Sequence, residues 1–194
     1  FYRKILESIG FGEKGARPVK SLLVTSPRVR EGKSTTVSNL GIMMARSGLK
    51  TIIVDVDWIR PVQHLSFGVS NTTGLMDLLT TPGLGTKEQL RTTAIPNLQI
   101  LTAGNLPNNP VEVLEPNRLK QIISDLTKIS NVVILDAPST TITESSVLFG
   151  LVEGVILVID SGRTTTTSVK QSMASLYLTG GKLLGGILNR STSY

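Results

Sequence analysis

Six short runs of consecutive apolar residues, at 21–25, 51–54, 98–101, 132–135, 155–159 and 183–187, do most to limit the folds open to this chain. Each has the length of a strand and is apolar on successive rather than alternate residues, as a strand covered on both faces should be. Helix-period segments stand between most of the runs. Strands that alternate with helices and need cover on both sides make a mostly parallel sheet. The expected class is therefore α/β, a three-layer α/β/α sandwich. With 194 residues and 40% hydrophobic content the chain can bury one substantial core and is short for two, so 1–194 is read as a single domain.

The helical segments have their own signals. Val37, Leu40, Gly41, Met44 and Ala45 recur at three- and four-residue spacing between 33 and 47, and Gly48 sits where such a helix would stop. Residues 111–128 carry Val111, Leu114, Leu119, Ile122, Ile123 and Leu126 among charged neighbours, which predicts an amphipathic helix lying on the sheet. The hydroxyls of Thr164 to Thr167 precede a helix-period stretch from Val169 to Leu178 and are read as caps. The turn-rich stretches 80–87 and 102–110 punctuate the chain without dividing it.

Chemistry gathers where three of the apolar runs end. After Leu22-Leu23-Val24 comes Ser26-Pro27-Arg28-Val29-Arg30-Glu31-Gly32-Lys33-Ser34-Thr35, which opens the first helix. Successive main-chain N–H groups at such a turn point into one concavity, and the positive helix end behind them favours anionic oxygens. Residues Glu31 to Thr35 would supply those donors, Lys33 would reach the terminal phosphates of a nucleoside triphosphate, and the Ser34 hydroxyl suits magnesium. The strict form of this loop has glycine where Pro27 stands. Asp55 and Asp57 follow the second run and Asp136 the fourth, at the edge where open parallel sheets collect ligands. Asp136 would hold magnesium through its water shell and Asp57 would complete that shell. Asp55 would accept or orient the proton of an attacking hydroxyl, since phosphoryl transfer needs positioning and charge neutralisation above all.

Other chemistries find little support. There is no cysteine, so disulfides and thiolate metal sites are excluded and an intracellular setting is expected. His64 is the single histidine and is read as structural or solvent-facing. The net charge of +6 comes from scattered basic residues, with only one Trp, three Tyr and four Phe for stacking, so no nucleic-acid partner is expected. No apolar run approaches the ~18 residues of a membrane span. Phe1 stands where an initiator methionine would, and the sequence is expected to be a piece of a longer protein.

These motifs, in this order, resemble the bacterial tyrosine kinases of capsular and exopolysaccharide synthesis, a branch of the P-loop ATPases. The loop is similar to that family's Ser-x-x-Pro-Gly-Glu-Gly-Lys-Ser-Thr. The stretch from Val54 through Asp55, Asp57 and Arg60-Pro61 to His64 resembles its second motif, and Ile134-Leu135-Asp136-Ala137-Pro138 its third. Residues 101–114 are similar to its Gly-x-x-Pro-x-Asn-Pro-x-Glu-Leu-Leu string. The resemblance covers nearly the whole chain. It implies an ATP- and magnesium-dependent tyrosine autokinase domain, with Lys33, Asp55, Asp57 and Asp136 catalytic and Ser34, Asp57 and Asp136 on the metal. Arg30, Glu31, Gly32, Lys33, Ser34, Thr35, Asn189 and Arg190 would contact the nucleotide, Asn189 at the adenine. It further implies a homo-oligomer at the cytoplasmic face of the membrane. Its partner would be a chain-length regulator, or polysaccharide co-polymerase, fused upstream or separate, in the synthesis and export of exopolysaccharide, capsule or lipopolysaccharide.

The sequence departs from that pattern at several places. Val29 and Arg30 replace the family's Pro-Gly, Ile59 replaces the first arginine of the second motif, and Glu144 stands for an aspartate. Leu6 replaces the second arginine of a self-assembly helix similar to Tyr2-Arg3-Lys4-Ile5-Leu6. In place of a terminal tyrosine cluster there are only Tyr2, Tyr177 and Tyr194; Tyr194 is a candidate acceptor and Tyr177 a packing residue. Two alternatives follow. One is a partitioning or division-site ATPase, which would carry lysine where Arg28 stands; the other is a nucleotide-binding scaffold without catalysis.

Overall fold

The computed structural model describes residues 19–191, so the expectations for Tyr2, Leu6 and Tyr194 lie outside the described residues. Seven strands form one sheet: β1 (Ser21–Thr25), β2 (Thr51–Asp55), β3 (Arg91–Thr92), β4 (Leu98–Leu101), β5 (Val132–Asp136), β6 (Gly154–Asp160) and β7 (Leu183–Asn189). Their order is β3-β4-β2-β5-β1-β6-β7, with every pair parallel except β3 against β4. Among the described residues five helices accompany them: α1 (Lys33–Arg46), α2 (Gln63–Phe67), α3 (Leu75–Thr80), α4 (Pro116–Ile129) and α5 (Thr166–Leu178). This is the α/β class read from the apolar runs.

The strands are apolar on successive residues because both faces are covered. Along β1, Leu22 and Val24 belong to a buried cluster with Val37, Leu40, Met44 and Ala45 of α1, together with Ile53, Ile100, Ile134 and Ile156. Leu23, between them, belongs to a second cluster containing Leu119, Ile122, Ile123 and Leu126 of α4, with Trp58 and Phe149. Alternate residues of one strand thus serve opposite layers, which requires helices on both sides. Gly41 lets α1 lie close on the sheet, since a Cβ there would sit 2.6 Å from Ile53 Cδ1.

The predicted helix over 111–128 starts later than its apolar spacing suggests. Residues Pro110–Val113 form a short 3-10 turn, and α4 begins at Pro116. Proline has no N–H to give and holds Glu115 extended, at φ −80° and ψ 116°, so the helix cannot run through it from upstream. The Glu115 carboxylate instead caps the helix, accepting from the backbone N–H groups of Asn117 and Arg118 at 2.9 and 2.6 Å. The threonine run behaves as read: Thr165 caps α5, accepting from Ser168 N. Short helices α2 and α3 and the two-residue β3 fill the connection between β2 and β4, where the sequence has no periodic signal. Among the described residues no helix is long and apolar enough to cross a membrane.

Candidate active site

β1, β2 and β5 lie side by side, so the turns leaving their carboxyl ends meet above one edge of the sheet. Residues from those turns line a cavity of about 820 Å³: Arg30, Gly32, Lys33, Ser34 and Thr35 from the first, Asp57, Ile59 and Arg60 from the second, and Pro138 and Ser139 from the third. Arg163, after β6, and Arg190, after β7, complete it. A separate cavity of about 640 Å³ around Lys50, Thr51 and Leu98, at the opposite ends of the strands, contains none of the motif residues.

The phosphate turn is held open by its own backbone and by its neighbours. Gly32 takes φ 94° as it enters α1, and no side chain caps that helix, so its first N–H groups are left to the cavity. A Cβ at Gly32 would collide with the Asn189 amide, which donates to Glu31 O at 2.8 Å. The Asn189 amide group therefore clamps the loop from the end of β7; its Oδ1 accepts from Arg190 N, and the residue does not line the cavity. The Glu31 side chain also turns away from the cavity. It is buried, accepting from Arg28 N and from the Thr164 hydroxyl.

The three aspartates have different surroundings. Asp55 is fully buried and lies outside the cavity wall. Its Oδ1 accepts from Asp57 N and its Oδ2 from Val62 N and Gln63 N, so both oxygens organise the second turn. Asp57 is the one acidic residue in the wall; its Oδ1 holds Ile59 N and Arg60 N. Asp136 is fully buried, with Oδ2 accepting from Gln63 Nε2 at 2.7 Å and Oδ1 without a partner. An orphaned carboxylate oxygen beside Ser34 and Lys33 suits a divalent cation carried in by a nucleotide. Among the described residues no cluster of three or more His, Cys, Asp or Glu makes a self-contained metal centre, so such an ion would need the phosphates as co-ligands.

Burial is also the main influence on the acidity of this group. It pushes Asp136 up to about 6, against the hydrogen bond from Gln63, the Ser34 hydroxyl and the Lys33 charge. Asp55 is raised as well, by burial and then by the nearby Asp136 carboxylate. An unfolded Asp136 releases its proton near 3.8 and the folded one near 6, so between those values the folded chain holds the extra proton. That contribution to stability is full below the lower value and is lost as pH rises through the upper. The denaturation midpoint of the nucleotide-free chain should therefore fall as pH rises from 4 to 7, and Asp136→Asn should make the slope shallower. An equally steep slope in the variant would reject the assignment.

Three further residues of the site emerge only in the fold. Gln63 is fully buried and joins the three turns: Nε2 donates to Asp136 and to Ser34 O, and Oε1 accepts from Ser38. Asp160 ends β6 and pairs with Arg190 at 2.6 Å. Its position after an apolar run is the same signal that marked Asp55 and Asp136. Arg163 sits in a loop with no pattern at all. His64 is half-buried and outside the cavity wall, and Tyr177 is 84% exposed on α5 rather than packed.

A parallel sheet with a glycine-lysine-serine turn at its first strand and acidic turns at its next two defines a P-loop nucleotide-binding protein. No family model matches the sequence. It is 33% identical over 190 residues to the putative tyrosine-protein kinase CapB of Staphylococcus aureus, covering 97% of this chain and 82% of CapB. The crystal structure of the chimerical protein CapA2B2 superposes with a TM-score of 0.88 at 33% identity, over 99% of this chain and 84% of that one. The chain belongs to the bacterial tyrosine-protein kinase family. The septum site-determining protein MinD of Pyrococcus horikoshii shares the fold, at 24% identity and a TM-score of 0.77 over 89% of this chain and 71% of that one.

Proposed function

We propose that the chain binds a magnesium–nucleoside triphosphate, ATP, in the 820 Å³ cavity and transfers its terminal phosphoryl group to a tyrosine hydroxyl. One observation carries this reading: Lys33, Arg30, Arg60, Arg163 and Arg190 share that cavity with a single acidic side chain, Asp57, beside uncapped helix N–H groups. Such an excess of positive charge at a helix start is built for a polyanion.

In this reading the N–H groups from Gly32 to Thr35 hold the phosphate oxygens and Lys33 neutralises the charge that gathers on the leaving bridge oxygen. Ser34 and Asp136 would hold magnesium, with Asp57 completing its water shell and so left able to take a proton; when bound, the ion would screen the phosphates. The tyrosine oxygen forms its bond to the terminal phosphorus as the bond to the departing ADP breaks. The tyrosine proton passes to Asp57, which lines the cavity, because both oxygens of Asp55 are taken by backbone N–H groups. Asp55 acts through the turn, holding Asp57 in place.

The chain spans 25% of the length of the tyrosine-protein kinase ptk of Acinetobacter johnsonii, and CapA2B2 is itself a chimera. We assign this domain to the cytoplasmic face of the membrane. There it works with a chain-length regulator, fused or separate, in the polymerisation or export of capsule, exopolysaccharide or lipopolysaccharide. Incubation with radiolabelled ATP and magnesium, with and without the regulator's activating segment, should yield phosphotyrosine. No phosphotyrosine in either arm would refute the kinase reading, and hydrolysis stimulated by DNA or lipid without it would favour a partitioning-type ATPase.

A further inference from the structure

We propose that Arg30 and Arg163 form a two-guanidinium clamp on the outermost phosphate, so that the site distinguishes a nucleoside triphosphate from a diphosphate. The inference rests on the nucleotide reading above and gives two of its cavity arginines, from separate loops, one specific task.

Arg30 occupies an unusual backbone position for a residue with a side chain. Its φ is 65°, in the left-handed region where glycine is free of strain and arginine is not. The local turn would be easier to form with glycine. Arg30 nevertheless lines the cavity at that strained position, and backbone strain of this kind gathers at ligand sites.

The second loop is tied to the first at adjacent residues. Glu31, next to Arg30, accepts from the hydroxyl of Thr164, next to Arg163. Two backbone bonds, from Arg163 N and Thr164 N to Asp160 O, close the turn that carries Arg163. Both arginines line the same cavity as Lys33.

Among the described residues the Arg30 and Arg163 guanidinium groups make no hydrogen bond or ion pair. The carboxylates that could have served them are committed elsewhere. Glu31 holds Thr164 and Arg28 N, Asp160 pairs with Arg190, and Asp57 holds the second turn through one oxygen. Two unpartnered guanidiniums beside a phosphate turn are matched by a group that offers several anionic oxygens in one place, and the third phosphate of a triphosphate brings such a group one unit beyond where a diphosphate ends.

Calorimetric titration with MgADP and with a non-hydrolysable MgATP analogue provides the test, on the parent chain, Arg30→Gly, Arg30→Lys, Arg163→Ala and the double variant Arg30→Gly/Arg163→Ala. Loss of one charge-assisted contact should weaken the ATP analogue by about tenfold in each of Arg30→Gly and Arg163→Ala, and more in the double variant, with ADP affinity changed by about threefold or less. Arg30→Lys should fall between, keeping the charge and losing the fork. Arg30→Gly should melt no lower than the parent, since it relieves the backbone, so its lost affinity would not reflect unfolding. Equal losses for both nucleotides, or none, would overturn the clamp while leaving the nucleotide site standing. A parent chain that binds neither nucleotide would remove the site and the clamp together.

Discussion

Replacing Lys33 by methionine should lower phosphoryl transfer by about three orders of magnitude, the scale of loss when one preorganised charge aimed at a transition state is removed. Lys33 is only 6% exposed, at the first residue of α1, where the loop amides and its own ammonium face the same cavity. In water a lysine charge is screened. Largely buried, it acts on whatever oxygen lies against it with less screening than in water, and it needs no reorganisation when charge moves to the leaving group. Methionine matches the length and bulk of the side chain without its charge. The fold should survive, because Lys33 belongs to neither apolar cluster. Single-turnover phosphotyrosine formation would measure the effect, with far-ultraviolet circular dichroism as the check on folding. A folded variant that keeps a tenth of the parent rate would show that Lys33 does not contact the reacting phosphates.

The second large effect concerns stability. Gln63→Ala should cost about 3–5 kcal/mol, since it strips partners from several buried groups at once, each worth roughly 1–3 kcal/mol when left unsatisfied. Gln63 has no exposed surface, and its amide serves Asp136, Ser34 O and Ser38 together. Without it, Asp136 would have two orphaned oxygens rather than one. Its carboxyl, already pushed up by burial, would rise further, because the Gln63 hydrogen bond is the leading influence holding it down. Urea denaturation at pH 7 measures the loss. Gln63→Glu is a sharper probe: it sets a third carboxyl beside two whose acidity is already suppressed, so its midpoint should rise on acidification. A loss below about 1 kcal/mol for Gln63→Ala would mean that water replaces the amide without penalty.

Much of this was open to inspection in the amino-acid order. The runs that became β1, β2, β4, β5, β6 and β7 were visible because burial on both faces removes the polar alternation that would otherwise blur a short strand. The loop from Ser26 to Thr35, Asp57 and Asp136 were visible because each follows such a run directly. The start of α4 lies later than apolar spacing alone predicts, and its cause, Glu115-Pro116, is local. Apolar spacing over 111–128 runs through Pro116, and the backbone obeys proline. Asp160, at the end of β6, carries the same positional signal as the other acids.

Gln63, Arg163 and the role of Asn189 could not be found that way. Gln63 meets its side-chain partners at 25, 29 and 73 residues' separation, and Asn189 meets Glu31 at 158. No local period encodes contacts that exist only once β1, β2 and β5 are neighbours and β7 has closed the far side.

What the linear order determined alone was the kind of element each segment forms and the edge of the sheet at which the charged turns emerge, since both follow from local apolar pattern and turn chemistry. What waited for the folded chain was which oxygen of each carboxylate is free, which cation lacks a partner, and which amide locks the loop. Those depend on distances between segments far apart in sequence, and the strand order sets them.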